Sequence, residues 1–157
     1  MLGKIKIAGL SFNSVVNGEG IRDVVFLQGC NHGCAGCQNP HTHSLEGGFY
    51  IGIEELIGVI EKTSIDKKIT ISGGEPFLQP NELSILLYAL KKKGYNIWVY
   101  TGYKIEELMG KKVYEYCLKY IDVLVDGKYD KTKPSNIKYI GSTNQRIIEV
   151  NKWRKNL

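Results

Sequence analysis

At 157 residues the chain is long enough for a single domain, residues 1–157, that buries roughly two-thirds of its unfolded surface. With 43% hydrophobic and 24% charged residues it has the composition of a soluble protein; no segment approaches the ~18 apolar residues of a membrane helix and residues 1–10 are too short for a signal peptide, so the cytoplasm is the expected compartment. The net charge of +5 is scattered and forms no basic stripe interleaved with aromatics, which argues against nucleic acid as the substrate.

In chain order, the first expected strand covers residues 23–28 (DVVFLQ), a β-branched and aromatic run. It leads directly into Gly29-Cys30-Asn31-His32-Gly33-Cys34-Ala35-Gly36-Cys37-Gln38-Asn39-Pro40. Ile53, Leu56, Ile57 and Ile60 then recur with helical period. A second strand, residues 68–72 (KITIS), ends in Ser72-Gly73-Gly74-Glu75-Pro76. Leu83, Leu86, Leu87 and Leu90 mark a second helix, with Pro80 near its start and Gly94 just past its end. Lys91-Lys92-Lys93, the densest run of charge, closes that helix and complements its dipole. A third strand, residues 96–101 (NIWVYT), is followed by Gly102-Tyr103. Ile105, Leu108 and Met109 suggest a short helix, and Val113, Tyr116, Cys117 and Tyr120 another. The fourth strand, residues 121–126 (IDVLVD), is followed by Gly127-Lys128.

Strands alternating with helices imply right-handed crossovers and a mainly parallel sheet. A closed eight-stranded barrel needs ~250 residues, so the expected α/β architecture is an open, curved, partial (β/α) barrel. In such folds ligands gather at the carboxyl ends of the strands.

The three cysteines of the first loop are spaced C-x3-C-x2-C. Three packed thiols in a reducing compartment point to metal or redox chemistry and not to a disulfide framework. Glycines let a backbone wrap closely around a bulky inorganic group, and three thiolates can grip three corners of a cubane. An electron-carrying ferredoxin supplies a fourth cysteine nearby. Here the only other cysteine, Cys117, falls on a core-facing helix position, so Cys30, Cys34 and Cys37 leave one iron open for substrate. The alternative is a zinc knuckle completed by His32, His41 or His43.

Each remaining strand end is a weak signal alone. Together, Gly73-Gly74-Glu75, Thr101-Gly102 and Asp126-Gly127-Lys128 meet the cysteine loop on one rim. A zwitterionic amino acid needs acceptors for its ammonium and a cation for its carboxylate. Glu75, Asp126, the glycine carbonyls and Lys128 supply both beside an open iron.

C-x3-C-x2-C after one strand and Gly-Gly-Glu-Pro after the next resembles the radical S-adenosylmethionine superfamily. The finer resemblance is to the activating proteins of anaerobic (class III) ribonucleoside-triphosphate reductase. It is carried by Asn17-Gly18-Glu19-Gly20-Ile21-Arg22, by Gly29 through Asn39, and by Trp98 through Tyr103. Asp122 through Tyr129 and Gly141-Ser142-Thr143-Asn144-Gln145-Arg146 complete it, so that it runs from about residue 12 to 148. Two departures stand out. Where the superfamily often has an aromatic residue against the adenine, this chain has Gly36, which offers only backbone to the cofactor. Relatives often read Asp-Gly-Pro-Gly where this chain has Asn17-Gly18-Glu19-Gly20.

The resemblance implies a [4Fe–4S] cluster on Cys30, Cys34 and Cys37, with S-adenosyl-L-methionine contacted by Gly36, Gly73, Gly74, Glu75, Thr101, Asp126 and Lys128. It implies that an electron from the cluster splits the sulfonium. The resulting 5′-deoxyadenosyl radical takes a hydrogen from a glycine on the partner reductase. No side chain then serves as an acid–base catalyst; the hard chemistry belongs to the cofactor. An electron donor such as flavodoxin or ferredoxin is also implied, and neither nucleic acid nor membrane. The rival readings are a different radical enzyme, a zinc-binding structural module and a plain electron carrier.

Overall fold

The computed structural model describes residues 2–157. Seven strands form one sheet: β1 (Lys4–Ser14), β2 (Arg22–Leu27), β3 (Phe49–Gly52), β4 (Lys68–Gly73), β5 (Asn96–Tyr100), β6 (Val123–Asp126) and β7 (Arg146–Glu149). Their order is β3-β1-β2-β4-β5-β6-β7. The four central strands, β2, β4, β5 and β6, run parallel, and they are the four expected from sequence. β1 and β3 add antiparallel strands on one side and β7 on the other. The sequence reading missed these three. β3 and β7 are only four residues each, and their stability comes from pairing with a neighbour. β1 carries a period-2 signal in Lys4-Ile5-Lys6-Ile7, with both isoleucines fully buried.

One face of the sheet is covered by α1 (Ile53–Thr63), α2 (Pro80–Lys92), α3 (Ile105–Leu108) and α4 (Lys112–Leu118); α5 (Val150–Lys155), also unforeseen, follows β7. The periodic residues of α1 and α2 are the ones buried against Ile69, Ile71, Ile97 and Val99. α2 begins with Pro80 and ends in a Schellman motif: Tyr95 N–H donates to the Leu90 carbonyl (3.2 Å) and Gly94 N–H to that of Lys91 (3.0 Å). In α4 the buried residues are Cys117 and Leu118, while Tyr116 faces outward against Tyr120.

The other face is closed below the strand ends by two connections. Gly18, at φ +129°, lies so close to Trp98 and Arg22 that a Cβ would come within 2.9 Å of both. Arg22, 1% exposed, stacks over Trp98 and donates to Thr70 Oγ1 (2.9 Å), to the Glu19 carbonyl (2.7 Å) and to Asn96 Oδ1 (2.7 Å). Burial lowers its pKa to about 10, which still leaves it charged at neutral pH. Tyr139 takes the left-handed region (φ 75°), sets its ring on Trp98 and accepts the Tyr100 hydroxyl on its carbonyl (2.7 Å). The cleft that remains open lies above them, at the carboxyl ends of the parallel strands.

Candidate functional site

The cysteine loop leaves β2 through Gly29 (φ 106°) and turns at Gly33 (φ 64°) and Gly36 (φ 72°), left-handed conformations suited to glycine. It is stitched to the strand end by Gly29 N–H to the Thr42 carbonyl (2.6 Å) and Cys30 N–H to that of His43 (3.1 Å). Cys30, Cys34 and Cys37 are unpaired, partly exposed, and line one cleft with Ser72, Gly73, Gly74, Thr101 and Gly102. Main-chain N–H groups point at the sulfurs: Asn39 at Cys37 Sγ (3.5 Å), and His32 at Cys30. Donors placed this way favour thiolates over thiols, which is what an iron–sulfur cluster requires of its ligands. Without iron, burial raises the Cys30 pKa, and the charges of Glu75, Cys34 and Cys37 add to that. Cys117 is fully buried away from the cleft, its thiol pushed up to about 12 by burial.

Among the described residues, no three of His, Cys, Asp and Glu stand close enough together to hold a single metal ion. His32, the zinc alternative's ligand inside the loop, has Nε2 on Glu75 at 2.6 Å. Three unpaired thiols in one glycine-rich loop, with main-chain N–H groups aimed at two of them, are a donor set that fits an iron–sulfur cluster.

Gly73 and Gly74 line the cleft, and both owe their lack of a side chain to backbone crowding. A Cβ on Gly73 would lie 2.3 Å from the Leu27 carbonyl oxygen, and one on Gly74 2.2 Å from that of Gly29. The second contact joins the glycine pair to the cysteine loop, reinforced by Glu75 N–H donating to the same Gly29 oxygen (2.7 Å).

Glu75 is placed differently from the sequence-based expectation of a free acceptor on the rim. Its carboxylate is fully buried and receives His32 Nε2, Thr101 Oγ1 (2.8 Å), Gly102 N–H (2.8 Å) and Phe77 N–H (2.9 Å). It ties the cysteine loop to the ends of β4 and β5. Gly102 fits beneath the His32 ring, where a Cβ would come within 2.5 Å.

Asp126, expected as an ammonium acceptor, is likewise turned inward. It is fully buried and accepts from Ile105 N–H (2.9 Å) and from Arg146 Nε (3.0 Å) and Nη2 (2.5 Å). Arg146 continues to Glu106, whose pKa its hydrogen bonds lower. Gln145 bridges Gly127 and Gly141 by donating to the Gly127 carbonyl (3.1 Å) and accepting from Gly141 N–H (2.7 Å). The Asp-Gly-Lys and Gly-Ser-x-Asn-Gln-Arg stretches thus lock each other into one wall. Lys128 is exposed and outside the cleft lining, while Gly127 belongs to it.

Residue-level reasoning missed the tyrosines of that wall. Tyr129 lines the cleft, and a Cβ at Gly36 would stand 3.7 Å from its ring. The space before the third cysteine is therefore faced by Tyr129 from elsewhere in the chain. Its only sequence signal was its place in the Asp-Gly-Lys-Tyr stretch.

The match of residues 16–148 to the family model described as a 4Fe-4S single cluster domain makes the chain an iron–sulfur protein. The chain is 35% identical over 150 residues to the anaerobic ribonucleoside-triphosphate reductase-activating protein of Pasteurella multocida, covering 88% of this chain and 94% of that one. It is 38% identical over 139 residues to the protein of that name from Enterobacteria phage T4 (84% and 86% covered). With the one from Escherichia coli K12 it shares 38% over 144 residues (85% and 91% covered). Among solved structures it resembles QueE from Escherichia coli, with a TM-score of 0.54 and 25% identity over 63% of this chain and 52% of that one. The chain belongs to the family of anaerobic ribonucleoside-triphosphate reductase-activating proteins.

Proposed function

We propose that this protein is the activating enzyme of an anaerobic ribonucleoside-triphosphate reductase, a cytoplasmic single-domain enzyme on an open partial barrel. It generates a glycyl radical on the reductase at the expense of S-adenosyl-L-methionine. The observation that carries this is the cleft itself: Cys30, Cys34 and Cys37 face it, and Cys117 is buried elsewhere. When bound, a [4Fe–4S] cluster with one iron free of cysteine supplies the electron that splits the sulfonium and the metal site that anchors the amino acid.

The chain's own residues position and enclose. Gly74 N–H is committed to the Leu27 carbonyl (3.2 Å) and the Gly73 carbonyl already accepts Asn39 Nδ2 (3.5 Å), so an ammonium group would use the Gly74 carbonyl and the second lone pair of the Gly73 carbonyl. Gly36 lets the cofactor approach the loop backbone, and Thr101 and Gly127 bound the opposite rim. Glu75 acts through His32 and Asp126 through Arg146, both as positioning residues. Lys128 remains an exposed cation near the rim, able to serve a carboxylate only by turning inward. Tyr129 offers the planar apolar surface for adenine that Gly36 lacks.

The test is anaerobic reconstitution with iron and sulfide, followed by assays for 5′-deoxyadenosine and for the glycyl-radical signal, with and without the reductase. About four irons and four sulfides per chain, with a radical only when reductase is present, are expected. Stoichiometric zinc without acid-labile sulfide would overturn the proposal.

A further inference from the structure

Residues 128–143 form a strap that leaves the Asp126 turn, crosses beside the cysteine loop and returns to Ser142. The strap is held in place from within. Thr143 N–H donates to the Lys133 carbonyl (2.8 Å), Lys133 N–H to that of Asp130 (3.0 Å), and Asp130 N–H to Ser142 Oγ (3.1 Å). Pro134 and Ser142 pair as an isolated bridge. Lys128, Lys131, Lys133 and Lys138 all project from it and are exposed. Its single carboxylate, Asp130, is folded back onto Thr132 N–H (2.9 Å) and Oγ1 (2.6 Å). Among the described residues, none of these lysines is in an ion pair. Their charge is therefore presented outward.

The strap's position gives that charge a use. The stem of Lys131 lies against the backbone just before Cys37: a Cβ at Gly36 would be 3.5 Å from its Cδ and 3.6 Å from its Cβ. A protein docked on the strap thus sits at the outer edge of the cluster loop. Reductive cleavage consumes one electron per turnover, and a protein that delivers it must dock close to the metal and then leave. Small, electrostatically steered interfaces suit that traffic, because exposed charges raise the encounter rate without a large buried area.

We infer that the lysine strap is the docking surface for an acidic one-electron carrier protein. The carrier loses one electron there and the cluster gains it; no atom is transferred. This rests on the function proposed above and adds where the electron enters.

The test compares wild type with K131E/K133E/K138E, both reconstituted. Binding of a purified acidic flavodoxin is followed by its flavin fluorescence at low and high salt. The wild type should bind at low salt and weaken as salt screens the charges; the variant should bind at least about tenfold more weakly, with little salt dependence. K133E/K138E, which keeps the Lys131 stem against Gly36, should show a smaller loss in the same direction. With dithionite as reductant, cleavage of S-adenosyl-L-methionine and radical formation on the reductase should equal wild type. Unchanged flavodoxin affinity would overturn the inference. So would loss of dithionite-driven radical formation on the reductase with cofactor cleavage retained, since the strap would then serve the reductase. A wild type that binds flavodoxin through these lysines but cleaves nothing with dithionite would overturn the proposed function and leave the docking surface standing.

Discussion

Replacing Glu75 by Gln separates a lock from a ligand. The buried carboxylate collects four donors, two of them main-chain N–H groups at 2.8 and 2.9 Å, one the Thr101 hydroxyl and one His32 Nε2 at 2.6 Å. Glutamine keeps one acceptor oxygen but turns an NH2 toward the rest, so at least one N–H is left facing another donor. A hydrogen bond to a charged group contributes about 1.5–3 kcal/mol, and an unsatisfied buried donor costs about 1–3 kcal/mol, so a loss of ~2–4 kcal/mol is expected. With a urea slope of about 1–3 kcal/mol per molar, the midpoint should fall by roughly 1–2 M with the slope unchanged. Apo-protein unfolding followed by tryptophan fluorescence measures this free of cofactor effects. His32→Ala should cost less in E75Q than in wild type, because both remove the same contact. An unchanged midpoint in E75Q with weakened S-adenosyl-L-methionine binding would refute the lock and restore Glu75 as a direct ligand.

Four further outcomes follow from the geometry. Gly74→Ala should lose cluster iron after reconstitution, because its Cβ would fall 2.2 Å from the Gly29 oxygen and push the cysteine loop away; full iron content would refute that. Cys117→Ala should retain cluster and cleavage, with only a small packing loss, whereas Ala at Cys30, Cys34 or Cys37 should abolish both, as iron and sulfide analysis will show. Tyr129→Ala should weaken S-adenosyl-L-methionine binding by roughly five- to a hundredfold, given ~1–3 kcal/mol for stacking a base on an aromatic ring. Methionine alone should bind the cluster as before, and Tyr129→Phe should recover the affinity. Since Arg146 lowers the Glu106 pKa, that pair's contribution to stability is fully present above the ordinary carboxylate value of ~4.3 and is lost as pH falls through the lowered one. Midpoints of wild type and E106Q should converge in that acid range.

Local signals in the sequence determined the central strands, the two long helices and the grouping of three cysteines in one loop. Each depends on spacing within a few residues: period 3.6 in Leu83 to Leu90, β-branched runs in β4 and β5, three thiols within one loop. Cys117 was separable from the triad for the same reason, its helical register. Tertiary structure alone decided what each charged group near the rim does. Glu75 and Asp126 read as ammonium acceptors because each comes at the end of a parallel strand. Their donors come from far along the chain: His32 is 43 residues from Glu75, Thr101 is 26, and Arg146 is 20 from Asp126. The edge strands β3 and β7 are four residues long and are stabilised by partners and not by their own composition. Tyr129 faces Gly36 only because β6 delivers it to the rim that β2 delivers the cysteines to. A sequence shows that a charge or a ring is present; which distant donor reaches it, and whether water does, is settled when the strands come together.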